Sequence, residues 1–368
     1  MSKVNDLIQK LCPNGVKFDK LENITLLQAG DRITTAMMSD DYDFDVIGGG
    51  TLPTGKYNNY NREHCVTISR AGSAGFVNWK ENKFWATDVC FTASKNNDYM
   101  DIKFVYHYLK NAQKDLQQHL YGGSMPKLEK NYLWKYPIPI PPLEVQNEIV
   151  RILDKFGELE AELEAELEAR KSQYEFWRNK MFKNTNNLIT IGETCDVITG
   201  GEPPEDTIKG SEADDEHPYP VYGNGREIYG YSSSYRVDKD STVISSIGAN
   251  AGAIYYREAY FTPIIRLKVV IPKSDELLPR YLYYALQTSK IKSKSGSVPN
   301  LNANDIKSIE FPLVPVEQQQ HIVNILDKFD TLVNDIFIGL PAEIELRKKQ
   351  YEYYRNKLLS FEELSVSE

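Results

Sequence analysis

The sequence predicts an α+β protein in which two similar globular domains are separated by two long helices that pair as an antiparallel coiled coil. The fold class is predicted from an internal duplication, an apolar stripe with coiled-coil spacing, and short strand-like segments divided by turns. The 368 residues suffice for two to three domains. The expected boundaries are a first domain at 1–142, a central helix at 143–186, a second domain at 187–315, a second helix at 316–361 and a tail at 362–368.

The central helix is expected to run from about residue 143 to residue 183. Apolar residues recur there in alternating steps of four and three, beginning with Val145, Ile149 and Ile152. Three copies of the tetrapeptide Glu-Leu-Glu-Ala fill 158–169 and add one extra four-residue step, a stutter that locally unwinds a supercoil. A helix of this length needs a packing partner, because an isolated two-faced helix is marginal in water.

The packing partner lies in the same chain, since the second half repeats the first. The matching segments are 149–156 with 322–329, 173–180 with 350–357, 123–128 with 296–301 and, more faintly, 71–75 with 248–252 and 104–109 with 281–286. Two copies are too few for a stacked solenoid, which favours a duplicated domain-plus-helix unit. In the second copy, Pro341 should break or kink the helix.

Within the first domain, the residue pattern predicts strands at 65–69 and 86–92 and a helix at 101–118. Residues 50–56 spell the phosphate-loop pattern Gly-x-x-x-x-Gly-Lys. Tyr57 stands where the magnesium-binding Ser or Thr belongs, and the Asn-rich segment after it is a poor helix start. We therefore interpret the pattern as fortuitous.

Composition and motifs argue against catalysis by this chain. The four cysteines and five histidines show no metal-ligand spacing, and nucleophile-elbow and zinc-protease motifs are absent. No apolar run approaches the ~20 residues of a membrane span, and we read no secretory signal, so a cytoplasmic protein is expected. The net charge of −9, with the acidic excess in the second half, means that any nucleic-acid contact must rest on local patches.

Two loops of the second domain carry groups that could contact DNA. The hairpin at 222–231 gathers planar and bidentate side chains suited to base edges, and the lysine-rich segment at 289–301 could hold phosphates. A tyrosine-rich turn packed on its own sheet and an ordinary solvated lysine face are the alternatives. The candidates across both domains are Lys56, Tyr57, Asn58, Arg62, Arg70, Ser124, Lys127, Tyr222, Asn224, Arg226, Tyr229, Tyr231, Asn250, Lys290, Lys292, Lys294, Ser297 and Asn300.

In combination, these motifs resemble the specificity subunits of type I restriction–modification systems. The resemblance covers nearly the whole chain and rests on the Gly-Ser-x-Pro-x-Leu segments, Ile-Pro-Ile-Pro-Pro-Leu-Glu-x-Gln at 138–146, the Ile-Val-x-Ile-Leu-Asp-Lys-Phe helices and the Gln-Tyr-x-x-x-Arg-Asn-Lys ends. The second copy departs from the pattern at 311–317, where one proline of the pair is lost.

The resemblance implies two target-recognition domains that each read one half of a split double-stranded DNA sequence. It also implies two modification subunits that carry S-adenosylmethionine and methylate adenine, and, where present, restriction subunits that use ATP and Mg²⁺. This chain would supply specificity and hold no cofactor or metal. The alternative is a coiled-coil assembly scaffold whose domains bind protein or carbohydrate, which the acidic balance favours.

Overall fold

The computed structural model describes residues 2–183, 187–210, 212–248, 250–289, 301–335 and 338–364. The chain divides into two compact units. Unit 1 comprises Met1–Leu163 and Ile344–Glu368, and unit 2 comprises Glu164–Glu343. The boundary falls inside the central helix, so each unit contains one part of that helix.

Unit 1 contains a globular α+β domain followed by the first part of the central helix. Its elements are α1 Ser2–Leu11, β1 Lys17–Lys20, α2 Leu21–Ile24, β2 Thr25–Ala29, β3 Phe44–Ile47, β4 Gly55–Tyr57, β5 Cys65–Ser69, β6 Val77–Lys80, β7 Phe84–Ala86, β8 Cys90–Lys95, α3 Ile102–Asn111, α4 Gln113–Gln118, β9 Leu120–Tyr121, β10 Lys127–Leu128, α5 Lys130–Trp134, β11 Pro137–Ile140 and α6 Leu143–Lys183.

Unit 2 repeats this plan. Its elements are the rest of α6, then β12 Leu188–Thr190, α7 Ile191–Thr194, β13 Cys195–Thr199, β14 Tyr219–Tyr222, β15 Ile228–Ser232, β16 Ser241–Ile244, β17 Ile254–Arg257, β18 Thr262–Pro263, β19 Lys268–Pro272, α8 Pro279–Thr288, α9 Ala303–Lys307, β20 Glu310–Pro312 and α10 Val316–Asn334. Helix α11, Leu340–Leu358, begins in unit 2 and continues in unit 1.

The sheets of the two units have the same topology, which confirms the duplication. Each unit has a four-stranded antiparallel sheet, in the order β2-β8-β5-β6 in unit 1 and β13-β19-β16-β17 in unit 2. Each also has a three-stranded sheet, β4-β3-β7 or β15-β14-β18, in which the first pair is antiparallel and the second parallel. Helices α3 and α8 pack their apolar faces on the larger sheets.

Two of the three elements predicted in the first domain need correction. The strand at 65–69 is confirmed as β5. The segment 86–92 is not one strand, because the polar turn around Asp88 separates β7 from β8, with the Cys90 amide donating to the Thr87 carbonyl at 2.9 Å. The helix predicted at 101–118 is divided at Ala112 into α3 and α4.

The long central helix is confirmed, since α6 runs without a break from Leu143 to Lys183. Leu159, Leu163 and Leu167 are half-buried, as the coiled-coil stripe requires. The segment predicted as one helix at 316–361 consists of two helices, α10 and α11. The predicted interruption of this helix is confirmed, but it lies before Pro341, between the end of α10 at Asn334 and the start of α11 at Leu340. Pro341 itself is the second residue of α11, in the first turn where its missing amide is tolerated.

Within unit 1, α6 and α11 pack against each other in antiparallel fashion. The ring of Phe156 lies 5.5 Å from that of Tyr354, centroid to centroid, and 6.0 Å from that of Tyr351. One turn further along α6, Glu160 forms an ion pair with Lys348 at 3.5 Å. Within unit 2, α6 packs on α10 instead, with the ring of Tyr174 6.3 Å from that of Phe329.

A buried glutamine near the start of α6, and another near the start of α10, fastens each helix to its domain. The Gln146 amide nitrogen donates to the carbonyls of Pro141 at 2.7 Å and Tyr99 at 3.0 Å, and its oxygen accepts from the Asp101 amide at 2.8 Å. Gln319 repeats the arrangement in unit 2 with the carbonyls of Val314 and Glu276 and the amide of Leu278. The repeated Glu-x-Gln motif therefore has a structural role in both copies.

A second repeated contact joins α6 to α3 in unit 1 and α10 to α8 in unit 2. In unit 1, Asp154 accepts from His107 at 2.8 Å and from Lys103 at 3.0 Å. Burial alone would raise the pKa of Asp154, but the hydrogen bonds and charges of His107 and Lys103 outweigh it and lower that pKa. In unit 2, Asp327 accepts in the same way from Arg280 at 2.7 Å and from Tyr284.

Among the residues that the structure describes, no helix is both long and apolar enough to cross a membrane.

Candidate DNA interface

The predicted hairpin in unit 2 is confirmed as β14 and β15, joined by the loop 223–227. The strands pair antiparallel from Tyr219 opposite Ser232, with a shift of register at Tyr222. Tyr222 packs edge-on against Phe261, with ring centroids 5.9 Å apart. The loop therefore projects from a sheet whose position is fixed by a buried aromatic contact.

Asn224 fastens this loop to two neighbouring segments. Its side-chain oxygen accepts from the Ser246 amide at 2.8 Å and from the Ser245 hydroxyl at 3.3 Å, and its side-chain nitrogen donates to the Ile265 carbonyl. Most of the hydrogen-bonding capacity of this carboxamide is thus used within the domain. Asn224 is better suited to shaping the loop than to reading bases.

Arg226 is the exposed cation of the loop. Its side chain lines a polar cavity of about 480 Å³ together with Arg257, Tyr256 and Asp330. The guanidinium makes no hydrogen bond or ion pair with the described residues. It is therefore the candidate of this hairpin whose donors remain available to DNA.

The other hairpin candidates are partly packed on their own domain. Tyr229 is half-buried, with the Lys209 ammonium 5.6 Å from its ring centroid. Tyr231 is half-buried in β15, and its backbone exchanges two hydrogen bonds of 2.9 Å with Ile208. The alternative of a tyrosine-rich turn packed on its own sheet describes these two residues well.

Arg257, at the end of β17, lies beneath the loop and is absent from the candidates that the sequence suggested. It donates to the Arg226 carbonyl at 2.7 Å and to the Gly225 carbonyl at 3.3 Å, and its guanidinium carbon lies 3.9 Å from the Tyr222 ring centroid. Burial, together with the neighbouring Arg226 charge, lowers the pKa of Arg257. Continuing the match of 71–75 with 248–252 by a few residues would have aligned Arg257 with another cation, Lys80.

In unit 1, the loop with the phosphate-loop pattern lies between two strands. Lys56 is exposed in β4, opposite Asp45 of β3, and not at the start of a helix. A Cβ atom on Gly49 would collide with the Ala71 carbonyl, and the Gly49 carbonyl accepts from the Ser73 amide at 2.7 Å. The glycine run therefore serves a close approach of two backbone segments.

Two loops of unit 1 meet at that approach. The Leu128 amide donates to the Arg70 carbonyl at 2.8 Å, and Ala71 forms a bridge with Lys127, which joins the loop 122–127 to the turn 70–75. Ser124 and Lys127 are exposed. The Arg70 guanidinium lies 5.7 Å from the Phe91 ring centroid. The backbone segments that carry Arg70, Ser124 and Lys127 are thus brought together with the glycine loop.

The remaining candidates of unit 1 differ in availability. Arg62 donates to Thr92 at 3.1 Å and to the carbonyls of Asn61 and Ala29 at 2.6 and 2.9 Å, so its guanidinium is committed within the domain. Tyr57 packs edge-on against Trp85, with centroids 5.0 Å apart. Asn58 is exposed directly after β4.

In unit 2, the Leu301 amide donates to the Ser246 carbonyl at 2.8 Å, which is the counterpart of the bond from Leu128 to Arg70. Asn250 is exposed in the turn between β16 and β17. The candidates that fall outside the described residues are Lys290, Lys292, Lys294, Ser297 and Asn300.

Comparison with known proteins matches this duplicated arrangement to one family. The type I restriction modification DNA specificity domain matches residues 13–169 and again residues 184–346. The chain belongs to this family.

Relatives named as specificity subunits span most of the chain. A Mycoplasma pneumoniae protein named as a putative type I specificity subunit is 32% identical over 324 residues, which cover 82% of this chain and 95% of that protein. The EcoR124I/EcoR124II specificity subunit of Escherichia coli is 34% identical over 291 residues, 71% of each chain. The family assignment therefore holds for both copies of the specificity domain.

The fold is also that of a solved specificity subunit. The crystal structure of a type I restriction–modification S subunit from M. genitalium aligns with a TM-score of 0.71 at 19% identity, covering 94% of this chain and 97% of that one. The likeness at this identity concerns the fold.

Proposed function

We propose that this chain is the DNA sequence-specificity subunit of a type I restriction–modification complex. Each of its two specificity domains would recognise one half of a bipartite target whose halves are separated by a non-specific spacer. The observation that carries the proposal is the double family match, which the repeated sheet topology of the two units supports. The same observation favours this role over that of an assembly scaffold.

Chemistry would belong to the partner subunits. We infer that two modification subunits, which carry S-adenosylmethionine, dock on the long helices α6, α10 and α11 and methylate adenine. Restriction subunits that use ATP and Mg²⁺ can join them. The resemblance and the family match support this assembly, which would act in the cytoplasm on double-stranded DNA. The purified chain alone should transfer no methyl group.

Reconstitution with the cognate modification subunit tests the proposal. Fluorescence anisotropy on random-sequence duplexes across a salt series should give a linear fall of log affinity with log salt, because phosphate contacts release counterions. Methylome sequencing of cells that express both subunits should then return a split target. A complex that binds duplex DNA no better than the modification subunit alone would overturn the proposal.

A further inference from the structure

The backbone of the loop 223–227 is held from below by one planar cation. Arg257 donates from a single terminal nitrogen to two consecutive carbonyls, those of Gly225 and Arg226, at 3.3 and 2.7 Å. Its guanidinium also lies close to the aromatic residues Tyr222 and Tyr255, with its carbon 3.9 and 5.2 Å from their ring centroids. The cation thus links β17, β14 and the loop.

No carboxylate of the described residues pairs with Arg257. The loop contributes the nearby charges of Arg226 and Glu227, and Arg280, Asp330 and Asp335 line the same cavity as Arg257. The Nε of Arg257 is buried without a hydrogen-bond partner among the described residues. Because it has no carboxylate partner among the described residues, this half-buried guanidinium contributes little to the stability of the domain through ion pairing. Its definite partners are the two loop carbonyls and the tyrosine faces.

The equivalent strand end of unit 1 shows what is particular to Arg257. There, Lys80 at the end of β6 pairs with the carboxylate of Asp45, with its nitrogen 3.5 Å from the nearer oxygen. Asp45 belongs to strand β3, not to a loop. Both units therefore carry a cation at this position, but only the arginine of unit 2 bonds to a loop that presents candidate DNA-contacting groups.

We propose that Arg257 is a positioning residue for base recognition, which sets the half-site specificity of unit 2 through the conformation of loop 223–227 and not by touching DNA. The inference rests on the proposed function. Fixing the Gly225 and Arg226 carbonyls fixes the peptide planes on both sides of the Arg226 Cα, and hence the direction in which the exposed Arg226 side chain leaves the loop. Asn224 fixes the same loop from its other side.

Lysine should not replace Arg257. An ammonium is a compact point charge that lacks the planar face for stacking, whereas a guanidinium combines stacking with fork-like donors. The Arg257→Lys variant therefore keeps the charge and the aliphatic stem while it removes the feature that aligns the loop. Arg257→Met removes the charge as well.

The test uses the full chain in complex with its modification subunit and duplexes that carry the wild-type target or single-base substitutions at each position. Both Arg257 variants should lose about tenfold in discrimination at one or more positions of a single half-site. The salt slope of binding to random-sequence DNA should stay unchanged. In the Arg257→Lys variant, hydrogen exchange should speed up at the amides of residues 223–227.

Lys80→Met is the matched control and should leave base preference unchanged in both half-sites. If Arg257→Met does not fold, Arg257→Lys carries the test. Unchanged discrimination, or uniform weakening on all duplexes with a smaller salt slope, would overturn the inference, the latter because it indicates a phosphate contact. A wild-type complex with no base preference would instead overturn the proposed function on which the inference rests.

Discussion

Arg62 and Arg226 show why a residue type cannot by itself assign a contact. The two side chains have the same chemistry, and each lies in a segment that directly follows a strand of a three-stranded sheet. The Arg62 guanidinium donates to three acceptors of its own domain, whereas Arg226 is exposed at a loop tip. Internal acceptors, which come largely from sequence-distant segments, decide which of the two is available to DNA.

Replacing Arg226 by alanine should relax one base position of a single half-site and cost about 1–3 kcal/mol of binding to the cognate duplex. The physical reason is that a bidentate guanidinium in the major groove discriminates the base it contacts. Binding matrices measured on single-base variants of the target would show this change. An equal fall in affinity on every duplex would contradict a base-reading role for Arg226.

The lysines at 290, 292 and 294 should behave differently, because phosphate contacts carry no sequence information. Their replacement by glutamine should weaken binding evenly across sequences and lower the salt slope by about one for each phosphate that the variant no longer neutralises. Anisotropy titrations between low and moderate salt measure this slope. A changed base preference in these variants would move the reading surface to this segment.

At the scale of elements, the sequence predicted what depends on regular local pattern. Helix α6 could be predicted to its ends because its stripe continues over many turns, and the hairpin β14–β15 because Gly and Asn punctuate it. The division of 101–118 at Ala112 depends on a distant strand, since Lys110 and Gln113 bond to the backbone of Val77 in β6. Arg257 lacks any local motif, and its role follows only from where β17 places it beneath the loop.

In α10, the buried Gln319 should be far more important for stability than its exposed neighbour Gln320. Gln319→Leu removes three hydrogen bonds and leaves the Leu278 amide and two carbonyls without that partner, at an expected cost of roughly 2–4 kcal/mol in the free energy of unfolding. Gln320→Leu, one residue further along the same helix and exposed, should change it by less than about 0.5 kcal/mol. Urea unfolding measures both, and equal effects would contradict the fastening role.

Unit 1 should lose stability in acid through Glu148 in α6. The hydrogen bond from Arg151 and then that from Lys3 of α1, together with their charges, lower the pKa of Glu148 to about 2 against the opposing effect of burial. Because the folded-state pKa is depressed, the stabilisation is present above the unfolded-state value of about 4.3 and is lost as pH falls toward 2. It amounts to roughly 1 kcal/mol, since both cations are exposed.

Glu148→Gln removes this titrating group and keeps a side chain of similar size. The variant should be less stable at pH 7, and its unfolding free energy should fall less steeply than that of the wild type between about pH 4.5 and pH 2.5. Urea midpoints over that range make the comparison. Parallel pH profiles would show that Glu148 contributes nothing to the acid sensitivity.

At the scale of the whole molecule, a net charge of −9 must coexist with the proposed binding to DNA, a polyanion. Part of the acidity lies on α6, where Glu162, Glu164 and Glu166 are exposed. DNA contacts are therefore expected to concentrate at the candidate loops of the two domains. Helix α6 would then influence DNA recognition through its length, which would set the spacing of the two half-sites.

Changing the length of α6 should change the spacer of the split target. The boundary between the two units falls at Leu163, inside the second Glu-Leu-Glu-Ala tetrapeptide. One tetrapeptide adds ~6 Å of helix and, at ~3.6 residues per turn, a net rotation of ~40°. One base pair rotates DNA by roughly 35°, at ~10–10.5 base pairs per turn. The rotation of the tetrapeptide, and not its rise, should determine how many base pairs it corresponds to. The reason is that a recognition loop turned away from its groove no longer reaches the bases.

Deleting residues 162–165 should therefore shorten the non-specific spacer by one base pair, and duplicating them should lengthen it by one, with both half-sites unchanged. The stutter between Leu163 and Leu167 allows the unit to be removed or repeated without reversing the buried face, so both variants should fold. The control is the double substitution Glu162→Gln and Glu164→Gln, which changes charge but not length and should leave the spacer as it is. Methylome sequencing of cells that carry each variant measures the spacer. An unchanged spacer in the deletion variant, or altered half-site bases, would show that α6 does not set the distance between the two half-sites.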